Sequence, residues 1–434
     1  MDTAVLALGK LCLALIAMII GLRLRLGLWL CVLLGAVCAV VVSGLPLTEF
    51  LEIVPQTALN TELYTLLAIV VLTLLISGVQ EATGQSARLV AALEKLLHSP
   101  RLRLIFFPAL IGLLPMPGGA LFSCPMLDGA SRRMDLEGER KAAINYWFRH
   151  IWEVAWPLYP GYLLACAVLD IPLSVLWRYT FPIVFTALLA GRIFLLRSLP
   201  PERREETAAP PVKRGKALAA VFIESLPLTV ALAGAFPASV LVDALFPFFP
   251  KGSPFLISLG AAVVTAILQG KGGPAAVVDV LLKPSTRKLF LLLFTIFLFK
   301  TSLEHSGLIT EISGFGTERL AVYVLCFLLP FLCGLLTGVM MGYVGTSFPI
   351  LLGVISQAGM QNEAVPLYIL ALSAGQLGQL LSPLHVCLVV SCEYFKVGLF
   401  RLVQLIVPTG LFQFGMNLLW CLLLTALLAV FGPW

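Results

Sequence analysis

Residues 145–161 read Asn-Tyr-Trp-Phe-Arg-His-Ile-Trp-Glu-Val-Ala-Trp-Pro-Leu-Tyr-Pro-Gly and place a guanidinium, an imidazole and a carboxylate within five positions of an apolar stretch. Arg149 and Glu153 stand four apart and His150 and Glu153 three apart, so a helix can present them on one face, and the polar stretch Asn145–Glu153 is a candidate binding region. In that arrangement Glu153 can carry a proton, His150 can tune it, and Arg149 can hold a carboxylate. The same residues also fit a structural Arg–Glu pair that steadies a broken helix. A second stretch, Ser373-Ala-Gly-Gln-Leu-Gly-Gln-Leu-Leu-Ser-Pro-Leu-His385, repeats Gln376, Gln379 and Ser382 at helical spacing. Pro383 then breaks the helix and His385 follows, which makes the polar stripe either a binding face or a source of interhelical hydrogen bonds.

Two further stretches look like turns that expose backbone. Leu114-Pro-Met-Pro-Gly-Gly-Ala-Leu-Phe-Ser-Cys-Pro125 has two prolines that stop a helix and two glycines that let the chain turn. Its Pro117, Gly118, Gly119 and Ser123 are candidates for contact with an ion or substrate, since backbone freed at membrane depth must be buried in protein or line a cavity. Thr337-Gly-Val-Met-Met-Gly-Tyr-Val-Gly-Thr-Ser-Phe-Pro349 is similar. Thr346 and Ser347 offer hydroxyls there, while Gly345 reads equally as site backbone or as a small residue for close helix packing.

These residues are carried by a chain made for lipid. Of 434 residues 59% are apolar and only 12% charged, about half the usual share for a soluble domain. Apolar runs of span length follow one another from end to end. The net charge of +6 sits in short loops, which reads as topology and excludes nucleic acid as a partner. Ten cysteines are scattered through apolar segments with no C-x-x-C pair, so they read as small hydrophobes; no metal site, cofactor or disulfide framework is expected. There is no G-x-S-x-G, H-E-x-x-H or P-loop, and an enzyme is not expected.

The expected fold is all-α and polytopic, with about ten transmembrane helices, at 4–21, 27–44, 62–79, 143–169, 174–196, 218–246, 254–269, 286–303, 364–394 and 404–431. The N-terminal one is expected to be retained, because it lacks a basic n-region and a cleavage site. Stretches 104–129 and 320–356, interrupted by Pro and Gly, are expected to be re-entrant hairpins. Loop charge supports this. With both termini outside, Arg23, Arg25, Arg88, Lys95, Arg132, Arg133, Lys283, Arg287, Lys396 and Arg401 all fall inside, and only Lys251 and Arg319 fall outside. A full crossing at either broken stretch would reverse basic loops.

The two halves also resemble each other. Phe107-Pro-Ala-Leu-Ile-Gly112-Leu-Leu matches Leu329-Pro-Phe-Leu-Cys-Gly334-Leu-Leu, Ser123-Cys-Pro125 matches Ser347-Phe-Pro349, and His150 and Glu153 match Gln376 and Gln379, at an offset near 222. Residues 1–198 and 217–434 then form two repeats, with 199–216 a cytoplasmic linker. Five spans per repeat is an odd number, so the second repeat is inverted, as in many secondary transporters.

The stretches PMPGGALFSCPM, NYWFRHIWE and GQLGQLLSPLH resemble the domain-of-unknown-function 401 family of prokaryotic integral membrane proteins, which is grouped with the ion transporter superfamily. The resemblance implies a scaffold and a mobile transport domain, elevator-type alternating access, a site built from hairpin tips and broken helices, and a homodimer. It also implies a small organic anion, a carboxylate above all, moved with H⁺ or Na⁺ across the cell inner membrane. The tips lack the Ser-Asn-Thr triplet of the dicarboxylate branch. The alternatives are a cation/H⁺ antiporter using Glu153 and, in another class, a membrane-embedded enzyme.

Overall fold

The computed structural model describes residues 2–24, 26–97, 99–113, 119–132, 134–197, 199–200, 214–235, 253–270, 273–308 and 319–431, and among them every regular element is a helix. The expected 199–216 linker lies largely outside the described residues, as do Pro117 and Gly118.

The first half runs α1 (Asp2–Arg23), α2 (Leu28–Ser43), α3 (Leu47–Ala58), α4 (Thr61–Ala82) and α5 (Gln85–Leu96). Next come α6 (Pro100–Leu113), α7 (Ala120–Ser131), α8 (Gly138–Arg149) and α9 (Pro160–Leu169). It closes with α10 (Leu173–Thr180) and α11 (Pro182–Gly191), which runs on through a π-helical turn at Arg192–Leu196. The second half runs α12 (Arg214–Ala235), α13 (Ser253–Gln269), α14 (Gly273–Leu282) and α15 (Pro284–His305). After these come α16 (Arg319–Thr337), α17 (Met340–Gln357), α18 (Ala364–Leu381), α19 (Val386–Phe395) and α20 (Leu399–Phe431).

Each span expected from the sequence is occupied by helix within the described residues. Two of them, 143–169 and 364–394, are each a pair of helices separated by a break. Seven segments among the described residues are long and apolar enough to cross a membrane, and Leu28–Ser43 is one of several shorter apolar helices. The chain is thus an all-helical polytopic membrane protein. Local chemistry sets the ends. The Asn60 side chain accepts from the backbone N–H groups of Glu62 and Leu63 and caps α4. Gly44, at φ +80°, closes α2 in the left-handed conformation that glycine adopts without strain. Helices α3, α5 and α14 were not expected.

The two broken stretches fold as helix pairs, α6 on α7 and α16 on α17. The legs of the first pair have 14 and 12 residues. At 1.5 Å per residue they reach about 21 and 18 Å, short of the roughly 30 Å hydrocarbon core. The second pair differs: its legs have 19 and 18 residues, and each is long and apolar enough for a full span.

Packing sorts the helices into two bodies. One is α1–α5 with α12–α15, where α1 packs on α2, α2 on α15, α12 on α5 and α13, and α4 on α13 and α14. The other is α6–α11 with α16–α20, where α16 packs on α18, α18 on α20, α17 on α9, and α8 on α6, α7, α19 and α20. The bodies meet through apolar side chains of α4, α9, α15 and α17, including Ile296, Phe299, Tyr343 and Phe348. A second apolar cluster, with Trp147, Phe148, Leu388 and Ile406, holds the second body together internally.

Candidate functional site

Both broken helices lie in the second body, and their breaks meet. The first break is longer than two prolines alone require. Helix α8 stops at Arg149, and residues 150–159 run as successive turns, with Glu153 N–H donating to the His150 carbonyl and Tyr159 N–H to the Trp156 carbonyl. Pro157 and Pro160 lack N–H groups and bar helix from the residues before them. Helix packing at this point is also close. A Cβ on Gly112 of α6 would strike the Arg149 carbonyl oxygen, while Tyr159 donates its hydroxyl to the Gly112 carbonyl at 2.5 Å and Trp152 donates to the Ala109 carbonyl at 3.0 Å. Because the helix ends at Arg149, Glu153 does not stand one helical turn along the same face, as the spacing predicts. The turns bring it to the same cavity instead.

The second break is shorter, at Ser382–His385. The Ser382 hydroxyl accepts from the Leu384 N–H at 3.2 Å, a local turn in which Pro383 ends α18, and His385 precedes the first residue of α19.

Polar side chains join the two breaks. Gln379 donates to Glu153 Oε1 at 2.8 Å, and Gln376 donates to the His150 carbonyl at 3.1 Å. The Nε2 atoms of His150 and His385 lie 3.0 Å apart. His150 Nδ1 lies 2.6 Å from the Tyr146 carbonyl and must donate to it. In neutral rings His150 Nε2 is then the acceptor, His385 Nε2 donates to it, and His385 Nδ1 is left as an acceptor. That Nδ1 and Glu153 Oε2 are buried and have no hydrogen-bond partner among the described residues.

Arg149, His150, Glu153, Gln379 and His385 are each at least nine-tenths buried, and together they line one end of a cavity of about 450 Å³. Its other walls are mostly apolar, with Ser77, Tyr159 and Thr286 among them, and its mouth has the exposed Glu81, Lys283 and Ser285. The cavity lies between the two bodies: α4, α14 and α15 supply one side, and the breaks and the turn at Gly338 supply the other. Both helix-pair turns reach this place. The Arg149 guanidinium lies against Gly119, where a Cβ would come within 2.5 Å of its Nη2. Gly338, at φ +66°, packs on the His385 N–H and the Ser382 hydroxyl.

Other candidates are placed elsewhere. Asn145 donates to Cys124 at 3.2 Å and to Ser391 at 3.1 Å, in a buried knot that ties α8 to α7 and α19; Ser123 lies beside it, bonded to its own helix. Gly345, Thr346 and Ser347 lie on α17 away from the cavity lining. The Thr346 and Ser347 hydroxyls donate to the Gly342 and Tyr343 carbonyls one turn back. Gly345 faces Ile296 of α15, at the junction of the two bodies. Gln376 stands behind the cavity, where its amide oxygen accepts from Gln413 at 3.3 Å.

Sequence reading passed over Tyr159, Lys283 and Cys387. Cys387 lies 3.8 Å from Arg149 Nη1, and its place two residues after His385 was the available signal. The ligand atoms of His150, His385 and Cys387 lie within 4.8 Å of one another, a set suited to a soft divalent metal. The two rings hydrogen-bond to each other through their Nε2 atoms.

No curated protein matches the sequence. Among solved structures the chain is similar to the YdaH transporter of Alcanivorax borkumensis, whose structure is described as revealing an unusual topology. The TM-score is 0.58 at 17% identity, over 84% of this chain and 85% of that one, a likeness of fold. A family model matches residues 7–424, so the chain belongs to the family described as Protein of unknown function (DUF401).

Proposed function

We propose that the protein is a secondary active transporter that moves a small organic anion together with a proton by an elevator-type motion. One observation carries the reading: two broken helices and two helix-pair turns converge on a buried Arg149 and Glu153, in a cavity between two separately packed bodies. Ionisable groups buried at membrane depth are costly and mark pathways. Arg149 takes the carboxylate through its planar fork. Glu153 takes the proton, which lets a buried cation and an incoming anion balance without a second uncompensated charge.

The body with α6–α11 and α16–α20 carries the site, and the body with α1–α5 and α12–α15 is the scaffold. Inverted repeats account for the internal geometry. His150 touches Gln376 and Glu153 touches Gln379, and both pairs are 226 positions apart. Residues equivalent under a two-fold meet only beside its axis, so the contacts support a two-fold whose axis would run through the site. Gly112 approaches the Arg149 carbonyl as Gly334 approaches the Gly375 carbonyl, again 226 positions on from Arg149. With each helix pair returning to the side from which it enters and basic loops inside, the mouth at Lys283 opens to the cytoplasm, and the conformation is inward-facing.

The test is stability of the purified full chain against small carboxylates, at two pH values and with or without Na⁺. Ligand that binds the folded state raises apparent stability by mass action. A rise with an anion class, larger at low pH, supports the reading. A rise with cations alone, and with no anion, overturns it in favour of cation/H⁺ antiport.

A further inference from the structure

Within this transporter reading, the walls of the cavity say more about the cargo than its polar end does. Beyond the cluster at Arg149, the lining is mostly apolar, with Leu74, Val280, Leu289, Met340, Met341 and Val386, and includes the hydroxyls of Ser77, Tyr159 and Thr286. Val280 and Met340 are buried, and both are tightly held: a Cβ on Gly78 would strike Val280, and one on Gly161 would come within 2.6 Å of Met340. The three wall hydroxyls are each donated to a backbone carbonyl, of Thr73, Gly112 and Val280 respectively, and among the described lining residues no charged side chain stands between the inner end and the mouth.

Charge along the cavity is uneven. At the inner end, Arg149 is the one guanidinium among the described lining residues, and Glu153 stands near it. At the mouth Lys283 and Glu81 are both exposed and of opposite sign, so no net positive charge is offered there by the described lining. A second carboxylate on the cargo would then rest on Leu74, Val280 or Leu289, or be drawn to Lys283 and repelled by Glu81. An ionised carboxylate left on an apolar wall without partners is strongly disfavoured. An apolar group in the same place gains by leaving water. The volume, about 450 Å³, falls toward the small end of ligand pockets and leaves room for more than a carboxylate alone.

We infer that the cargo is a small amphipathic monoacid: one carboxylate held at Arg149 and an apolar body lying against Val280, Leu289 and Met340. Specificity then has two parts. Arg149 selects for a single anionic group, and the walls select for length and apolarity. Met341, only partly buried and unbranched, lets acids of different body shape share the cavity.

The experiment is binding of matched acids to the purified full-length protein, read by titration calorimetry. Butyrate, hexanoate and octanoate are compared with the dicarboxylates of equal chain length, succinate, adipate and suberate. For the monoacids, affinity should rise by about fourfold per methylene, which is the ~0.8 kcal/mol of a buried CH₂, until the cavity is filled. Each dicarboxylate should bind at least tenfold more weakly than its monoacid. Val280→Thr, nearly the same shape with a hydroxyl in place of one methyl, should lower octanoate affinity several-fold and leave butyrate little changed. Dicarboxylates that bind as well as monoacids, or affinity that is flat with chain length, would overturn this inference while leaving anion transport standing. Binding of neither series would overturn both, and a Val280→Thr protein with unchanged octanoate affinity would remove the assigned wall.

Discussion

Arg149 and Glu153 divide the proposed work, and their substitution should separate it. Arg149→Lys keeps the charge but loses the rigid fork, so carboxylate binding should weaken by about tenfold, or ~1.4 kcal/mol. Unchanged affinity in a direct binding measurement would place the anion elsewhere. Glu153→Gln keeps the shape and removes the proton. It should abolish uptake driven by an imposed pH gradient in proteoliposomes and leave exchange of labelled for unlabelled cargo intact. Gradient-driven uptake at the wild-type rate would end the role of Glu153. The types of these residues were legible in the sequence because charges are rare in lipid. Their geometry was not. Helical spacing puts Arg149 and Glu153 on one face, but the chain leaves the helix at Arg149. What fixes the break is partly distant: Gln376, 226 positions on, donates to the His150 carbonyl. No local rule reads that bond. Asn145, a candidate of the same polar stretch, turns instead to Cys124 and Ser391.

At the scale of elements, the long helices were readable and the short ones were not. Lipid demands long apolar runs, so each span announces itself. Helix α5, Gln-Ser-Ala-Arg-Leu-Val-Ala-Ala-Leu-Glu-Lys-Leu, mixes charge with apolar residues and lies in what reads as a loop. It is nonetheless anchored: Arg88 pairs with Glu224 of α12 at 2.6 Å, and Gln85 donates to the Ala266 carbonyl of α13 at 3.1 Å. Such anchors join the halves of the first body and are invisible to periodicity. The breaks were half legible, since Pro157 and Pro383 mark them but not their lengths. Close helix approach gives a matched pair of expectations. Gly112→Ala and Gly334→Ala each place a methyl against a backbone carbonyl oxygen, of Arg149 and Gly375 respectively. Each should lower stability by about 1–3 kcal/mol, seen as a fall in the thermal midpoint of the purified protein. An effect in only one of the two would count against equivalent packing in the two halves.

For the whole molecule, two measurements bear on movement and topology. Ile296 and Gly345 face each other across the junction of the bodies. Ile296→Cys with Gly345→Cys, joined by a short bifunctional thiol reagent, should stop transport, and reduction of a reducible cross-linker should restore it; both single-cysteine parents serve as controls. Full transport with complete cross-linking would exclude sliding at this junction. Cysteines placed near Arg132 and near Gln361 should be labelled from opposite sides of the membrane, the first cytoplasmic and the second external. Labelling from one side would refute inverted hairpins. At this scale the repeat and the loop charges give expectations that the labelling tests, whereas the division into two bodies needed the packing of helices far apart in the chain.

The hydrogen bonds between the two breaks also bear on heredity. His150 meets His385 and Gln376, and Glu153 meets Gln379, so each half supplies the partners of the other. Neither half holds a complete site that could change by itself. A lesion at His150 is best relieved around 376–387, on the far side of the gene, and chimaeras that take one half from a distant relative inherit mismatched partners at the point where the cargo would sit.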